Sequence, residues 1–118
     1  MTSETRNIAS PHETRPFKEH GHMDVVTLGE FTLGRGVFEP GWRWSNDVKP
    51  IAGTESCQTH HTGMCLSGRM VVRLDDGREF TVEPGDVVDI EPGHDAWTVG
   101  DEACVLLDTG VAAYAKPR

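Results

Sequence analysis

The chain has 118 residues and a mass of 13.0 kDa, which suits one domain with a single hydrophobic core and is too short for two. Hydrophobic residues make up 36% and charged residues 25%, as in a globular protein with a small core. The net charge of -8 argues against DNA, RNA and anionic membranes as partners, because proteins bind these through basic surfaces.

Targeting signals and disulfides are not indicated. No apolar run approaches the ~20 residues that span a bilayer, and the opening Met-Thr-Ser-Glu-Thr-Arg lacks the apolar stretch of a secretory signal. Three cysteines, Cys57, Cys65 and Cys104, show no Cys-x-x-Cys spacing, so we expect neither a disulfide framework nor a structural zinc site. We therefore expect a cytoplasmic protein with reduced thiols.

The chain divides into two parts by composition. Residues 1–22 are polar and aperiodic, which predicts a flexible N-terminal arm, and residues 23–118 are expected to form the folded domain. From Val25 onward, short apolar or alternating runs are cut by Gly, Pro or Asp-Gly, which is typical of an all-β protein. The predicted strands are Val25–Leu28, Thr32–Phe38, Glu55–Thr59, Met64–Leu66, Met70–Leu74, Phe80–Val82, Val87–Ile90, Trp97–Val99 and Cys104–Asp108.

One hairpin can be aligned from the pattern alone. If both apolar sets face one core, Leu74 lies opposite Phe80 and Val72 lies opposite Val82. Such a pairing requires a loop with an odd number of residues, so we predict a three-residue loop or a glycine bulge near Gly77. Periodicity leaves both a β-sandwich and a barrel-like jelly roll open.

Two motifs add a resemblance to a known superfamily. The segment from Gly85 to Trp97 resembles the second conserved motif of the cupins, G-x5-P-x-G-x2-H, with Glu91 at the proline and Ala96 at the histidine. Gly68 looks like the glycine that closes the first motif, H-x-H-x3-E-x6-G. The resemblance covers Trp42 to roughly Asp108. It implies a single antiparallel cupin jelly-roll β-barrel, also called a double-stranded β-helix.

The function that the resemblance implies is broad. The strings Pro40-Gly41-Trp42-Arg43-Trp44-Ser45 and Pro92-Gly93-His94-Asp95-Ala96-Trp97 are similar to those of small bacterial cupin-domain proteins. The superfamily includes dioxygenases, isomerases, epimerases, lyases, storage proteins and sugar-sensing regulators. We therefore expect a small-molecule-binding protein of unassigned substrate.

The same alignment places Glu55, Cys57 and His61 at the ligand positions of the first motif. Residues two apart on a regular strand share a face, and the resemblance makes that face the barrel interior. Such side chains can bind one divalent transition metal, iron, nickel, zinc or manganese. His94 is a further ligand if its strand begins early enough, and His60 replaces His61 if the strand carries a bulge.

A metal-free reading is open beside this one. Glu55 and His61 then form a hydrogen-bonded pair, and Cys57 is a small buried apolar residue. In an enzyme of oxygenase, isomerase or lyase type, Glu55 or His61 is the general acid or base. The alternative is a non-catalytic ligand-sensing or degenerate module, which Ala96 at the usual histidine position favours.

Aromatic residues suggest both a pocket and a partner. Trp42 and Trp44 alternate, so both can cover one face, as a lid over a small ligand or at a dimer interface. Trp97 is expected near the pocket as a core residue. We predict a homodimer that pairs through the apolar segments Val25–Leu28 and Thr32–Phe38, with Trp42 or Trp44 near its centre.

Overall fold

A computed structural model describes residues 3–112 and 114–116. The described residues form nine β-strands and two single-turn helices. In chain order these elements are β1 (Glu13–Pro16), β2 (Gly21–Leu28), β3 (Phe31–Phe38), α1 (Trp44–Asp47), α2 (Lys49–Ala52), β4 (His61–Ser67), β5 (Arg69–Leu74), β6 (Glu79–Val82), β7 (Val87–Ile90), β8 (His94–Val99) and β9 (Cys104–Asp108).

The strands make two antiparallel sheets with the core between them. The larger sheet has the order β1-β2-β3-β9-β4-β7, and the smaller one the order β6-β5-β8. Side chains from both sheets bury one another: Met23, Phe38 and Cys65 on the larger sheet pack in one cluster with Met70 and Val72 on the smaller. Buried and less buried side chains alternate along β3 and β5, as expected for sheets with one buried face.

Most predicted strands are present, with one exception that affects the site. The segment predicted as a strand at residues 55–59 forms no strand, and its Cys57 makes only an isolated bridge to His94. The chain leaves α2 through Gly53, whose φ of 74° is left-handed. Thr54 then donates its hydroxyl to the Ser56 carbonyl at 2.8 Å, a local turn contact that competes with strand pairing.

The β5–β6 hairpin confirms the predicted loop and corrects the predicted register. The Leu74 N–H donates to the Arg78 carbonyl at 2.8 Å, which closes a three-residue loop over residues 75–77. Within it, Gly77 has a φ of 93°. Val72 lies opposite Phe80, two residues from the predicted partner, Val82. The predicted register was wrong because pairing Leu74 with Phe80 would need a five-residue loop, whereas three residues with a left-handed glycine form a standard hairpin.

The N-terminal segment differs from the flexible arm that its composition suggested. Within it, β1 pairs with β2, and Arg15 and Phe17 are buried. The boundary expected at residue 23 falls inside β2. Among residues 3–22 only Arg15 and Phe17 are buried, and two inward side chains are too few for apolar periodicity to predict a strand.

Candidate metal centre

Three side chains with metal-binding atoms converge at one end of the space between the sheets. The Cys57 sulfur and one ring nitrogen each of His61 and His94 lie within 4.8 Å of one another. Cys57 is 2% and His94 3% exposed, and the Cys57 sulfur is 3.5 Å from His61 Nε2. A thiolate and two imidazoles at this spacing are an ordinary ligand set for a transition metal.

Backbone pairing explains why these residues meet. His61 is the first residue of β4 and His94 the first of β8. Cys57 donates its N–H to the His94 carbonyl at 2.7 Å, and His94 donates to the Cys57 carbonyl at 3.3 Å. His94 and Ala96 are both buried on β8, so the strand does begin early enough to turn His94 inward.

The second nitrogen of each imidazole is already occupied. His61 Nδ1 contacts the carboxylate of Asp108, and His94 Nδ1 donates to the Glu91 carbonyl at 2.9 Å. Both rings are thereby fixed with Nε2 available. Metal-ligating histidines characteristically donate their other N–H to a carboxylate or a backbone carbonyl, so the residues present fit a metal ion.

The neighbours of Cys57 and His61 shift the pKa values of both side chains. Burial would raise the pKa of Cys57, but hydrogen bonds and positive charge from His61 and His94 outweigh it and lower the pKa to about 6. Burial would lower the pKa of His61, but the bonds to Asp108 and Cys57 raise it to about 9. At neutral pH the metal-free site therefore holds a thiolate beside an imidazolium.

An apolar cavity of about 30 Å³ adjoins the histidines. His61, His94 and Asp108 line one part of it, and Trp42 and Trp44 line another. The remaining wall is mainly apolar and is formed by Phe38, Met70, Val72, Val88, Ile90 and Leu106. This combination of apolar walls and a few polar groups is typical of small-molecule sites.

The C-terminal segment closes the cavity. Tyr114 is buried, its ring centroid lies 5.2 Å from that of His61, and burial raises its pKa well above the ordinary value. Together with Trp44 and Cys57, Tyr114 also lines an outer cleft of about 380 Å³. Buried Arg15 on β1 holds the segment by donating to the carbonyls of Val111 at 2.6 Å and Tyr114 at 3.0 Å.

Glu55 does not belong to this cluster, contrary to the prediction. Its side chain is 98% exposed and pairs with Lys49 at 3.1 Å. The alternation rule fails here because residues 55–59 form a loop. His60, the alternative ligand, is exposed and pairs with Asp89, so His61 is the histidine that turns inward.

Trp42 and Trp44 line the cavity, whereas Trp97, expected near the pocket, does not. Trp42 and Trp44 are each 2% exposed within a single chain, so neither is available at the surface for the centre of a dimer interface. Trp97 is half-buried and alternates with the inward-facing Ala96. The Arg43 guanidinium lies 4.3 Å from its ring centroid, so Trp97 does not line the cavity.

Two residues of the site were not predicted. Asp108 follows Leu106 at a spacing of two in a predicted strand, and a carboxylate on an inward face was a usable signal. Tyr114 follows the last strand, where periodicity gives no information. The structure brings both to His61.

A second group of metal-binding side chains lies at Glu19, His20 and Asp47. Asp47 accepts the backbone N–H of Arg43 at 3.0 Å and contacts His20 Nδ1 at 3.2 Å. These bonds stabilise the turn before α1, so we assign the group a structural role.

Sequence comparison identifies the family. The profile of the Cupin domain family matches residues 51–110, just over half of the chain. The chain belongs to the cupin family. The all-β jelly roll expected from the two motifs is thereby confirmed. No curated protein matches the chain in sequence.

Solved structures show the same fold. A protein of unknown function from Rhizobium leguminosarum is 24% identical, with 92% of this chain and 97% of that one aligned at a TM-score of 0.60. An uncharacterised protein with a double-stranded β-helix domain from Klebsiella pneumoniae is 18% identical over 99% of both chains, at 0.61. A cupin 2 conserved barrel domain protein from Salinispora arenicola is 16% identical over 92% and 86%, at 0.57.

Among residues 3–112 and 114–116, no helix is long and apolar enough to cross a membrane.

Proposed function

We propose that this cupin binds a small molecule beside one divalent transition metal held by Cys57, His61 and His94. One observation supports the proposal above the others: both histidines already have Nδ1 engaged, which leaves Nε2 of each ring for a metal ion. The three unpaired thiols of the described chain suit a reducing compartment, so a cytoplasmic location is part of the proposal.

The ligand set indicates the metal class and what the chain contributes. One thiolate and two imidazoles suit zinc, iron or nickel better than manganese, which prefers oxygen ligands. Cys57, His61 and His94 would hold the metal, which when bound would supply Lewis-acid chemistry to a substrate oxygen. Asp108 orients His61, the apolar wall excludes water, and Tyr114 covers His61.

Cobalt and zinc titration of protein purified without an affinity tag tests the metal site. We expect one equivalent of Co²⁺ to give a thiolate charge-transfer band that Cys57→Ala abolishes. His61→Ala should lose binding, whereas His60→Ala and Glu55→Ala, matched exposed neighbours, should retain it. Equal loss in the His60 and His61 variants would contradict the assignment.

A second candidate function is favoured by the line of contacts from Cys57 through His61 to Asp108. His61 Nε2 faces the sulfur and Nδ1 faces the carboxylate, which is the arrangement that activates cysteine nucleophiles. Protein that is metal-free as isolated and is alkylated selectively at Cys57 would favour this function. Metal-free protein with an unreactive Cys57 would instead favour the non-catalytic sensing module.

We propose a homodimer through a surface other than residues 25–28 and 32–38, because these residues belong to β2 and β3, which are paired on both sides within the larger sheet. Met64 on β4 lies opposite Val87 on β7, Leu66 follows on the same face, and all three are exposed. We propose that a second copy covers this face, which meets the exposed edge strand β7. Light scattering should show a dimer that Val87→Lys converts to a monomer, whereas a monomeric wild type would refute the proposal.

A further inference from the structure

The metal cluster lies between two spaces of very different size. His61 and His94 line the inner cavity of about 30 Å³, which holds about two water molecules. Cys57 lines the outer cleft instead, whose volume of about 380 Å³ is in the range of small-molecule sites. A ligand larger than about three heavy atoms therefore has room only in the outer cleft, and it approaches the cluster from the Cys57 side.

One polar group that borders both spaces has no partner among the described residues. Tyr114 lines the cavity and the cleft and is 4% exposed, yet its hydroxyl makes no hydrogen bond to a described residue. Burial raises the pKa of Tyr114, and the negative charges of Cys57 and Asp108 add to this, so the hydroxyl lies near the cluster. It is not one of the fully enclosed unpartnered atoms, and it therefore borders space that a water molecule can reach. Those enclosed atoms are Arg15 Nε, Arg35 Nε, Trp42 Nε1 and Trp44 Nε1.

The chemistry of the cleft wall limits what binds there. Trp44 and Val48 provide apolar surface, none of the described lining residues is acidic, and Lys116 supplies an ammonium group. Lys116 forms no ion pair with a described residue, because nearby Glu13 is already paired with Arg15 at 2.9 Å. Buried tyrosine hydroxyls usually find a partner, and a phenol is protonated at neutral pH. This wall suits a molecule with a hydrocarbon part and a negatively charged oxygen.

We propose that the outer cleft binds a small carboxylate, that Lys116 balances its charge, and that the Tyr114 hydroxyl donates a hydrogen bond to one of its oxygens. This inference deepens the proposed function, on which it rests for the presence of a small-molecule ligand. It adds the class of that ligand and the space in which it binds. Neither contact needs a metal, so binding to metal-free protein is the relevant measurement.

NMR of the tyrosine tests the proposal, because Tyr114 is the only tyrosine in the sequence and a ¹³Cζ label gives one resonance. Butyrate and butyramide, which have equal numbers of heavy atoms, are titrated separately into metal-free protein. We expect a saturable shift with butyrate at millimolar concentration. Butyramide should bind about two- to fivefold more weakly, since it lacks the charge that an exposed ammonium attracts. An unmoved resonance with both probes overturns the proposal, and butyramide binding as tight as that of butyrate overturns the carboxylate class.

Tyr114→Phe removes the hydroxyl and keeps the ring beside His61. Butyrate affinity, measured from the backbone amide shifts of Gln58 and Thr59, should fall about fivefold, the loss of one hydrogen bond. The stability of the ligand-free protein should not fall, because the hydroxyl has no partner to lose. A fall in stability with unchanged affinity would assign the hydroxyl a structural role and overturn the proposal. If the variant does not fold, the wild-type titration decides alone.

Lys116→Gln tests the charge of the cleft and should make butyrate and butyramide bind equally. Lys49→Gln is the matched control, because Lys49 is a nearby surface lysine that pairs with Glu55 and does not line the cleft. This control should keep the preference for butyrate. Loss of the preference in the Lys49 variant, or its retention in the Lys116 variant, would overturn the role of Lys116.

The design keeps this inference apart from the metal proposal. Cys57→Ala removes a metal ligand but neither Tyr114 nor Lys116. Butyrate binding that persists in this variant, together with loss of its cobalt spectrum, supports both proposals. Butyrate binding by a wild type that takes up no cobalt would overturn the metal site alone, and a normal cobalt spectrum without butyrate binding would overturn the carboxylate ligand alone.

Discussion

Cysteines lie near both ends of the β4–β9 strand pair, and their pKa values are shifted in opposite directions. At one end, His61 and Asp108 meet beside Cys57, whose pKa is lowered to about 6. At the other end, Cys65 and Cys104 are fully buried with their sulfurs 3.9 Å apart, and burial raises the pKa of both. The thiols at this second end remain protonated at neutral pH.

The difference shows that neighbours, and not residue type or burial, decide what a cysteine does here. All three cysteines are at most 2% exposed. Cys57 faces two imidazoles, whereas the described neighbours of the Cys65 sulfur are backbone carbonyls of Ser67 and Gly68 and another thiol. Antiparallel pairing produces this division, because it aligns the start of β4 with the end of β9.

Removing the carboxylate at the polar end should have the largest effect. Asp108→Asn leaves the His61 imidazolium without its buried partner, and we expect the free energy of unfolding of metal-free protein to fall by about 3 kcal/mol. Metal affinity should fall roughly 10- to 100-fold, because Asp108 orients the metal ligand His61. Urea unfolding and cobalt titration measure the two effects.

Asp89→Asn is the matched control, because Asp89 pairs with the neighbouring His60 at the surface. Exposed pairs contribute at most about 1 kcal/mol. If Asp89→Asn loses as much stability as Asp108→Asn, the buried His61–Asp108 pair contributes no more than the exposed His60–Asp89 pair.

A polar substitution at the apolar end should lower the free energy of unfolding by a smaller amount. Cys104→Ser places a hydroxyl where the described structure offers a thiol as its neighbour, and we expect a loss of about 1–3 kcal/mol. Cys104→Ala removes the sulfur without adding a polar group and is the comparison variant. If thermal unfolding finds the serine variant the more stable of the two, the second end is less dry than its burial indicates.

The smallest effect concerns pH. The lowered pKa of Cys57 stabilises the fold above its ordinary value near 9, and this contribution is lost as pH falls through about 6. The raised pKa of His61 stabilises the fold below 6.5, and this contribution is lost as pH rises through about 9. Between these limits the Cys57 contribution grows with pH as fast as the His61 contribution declines, because folded and unfolded states bind the same number of protons.

We therefore expect the stability of metal-free wild type, measured by urea unfolding, to be nearly constant from about pH 7 to 8.5. In Cys57→Ser only the histidine contribution remains, so stability should decrease with rising pH, by up to about 1.4 kcal/mol per unit. A wild type that shows the same decrease would contradict the coupling of Cys57 with His61.

Short-range pattern was enough to predict most of the strands, and it turned His94 inward on the condition that its strand begins early enough, since both depend on a period of two. The place of Glu55 was not predictable in this way, because the side-chain contacts at Thr54 turn residues 55–59 into a loop. The contact of Tyr114 with His61 joins distant parts of the chain. The partner that orders Tyr114 is Arg15, from a segment whose composition indicated a flexible arm.

The hold of Arg15 on the C-terminal segment depends on backbone carbonyls alone. Every residue has a carbonyl, so the guanidinium does not distinguish between side chains at the positions it holds. These hydrogen bonds therefore do not restrict the side chains of the segment, which are restricted instead by packing, since Val111, Tyr114 and Ala115 lie in the buried core. Arg15 itself is restricted by these bonds, because a lysine ammonium lacks the planar fork that reaches several acceptors at once. A substitution of Tyr114 would therefore change the wall of the pocket and its packing against His61, while the hydrogen bonds from Arg15 that hold the segment over the site would still have their acceptors.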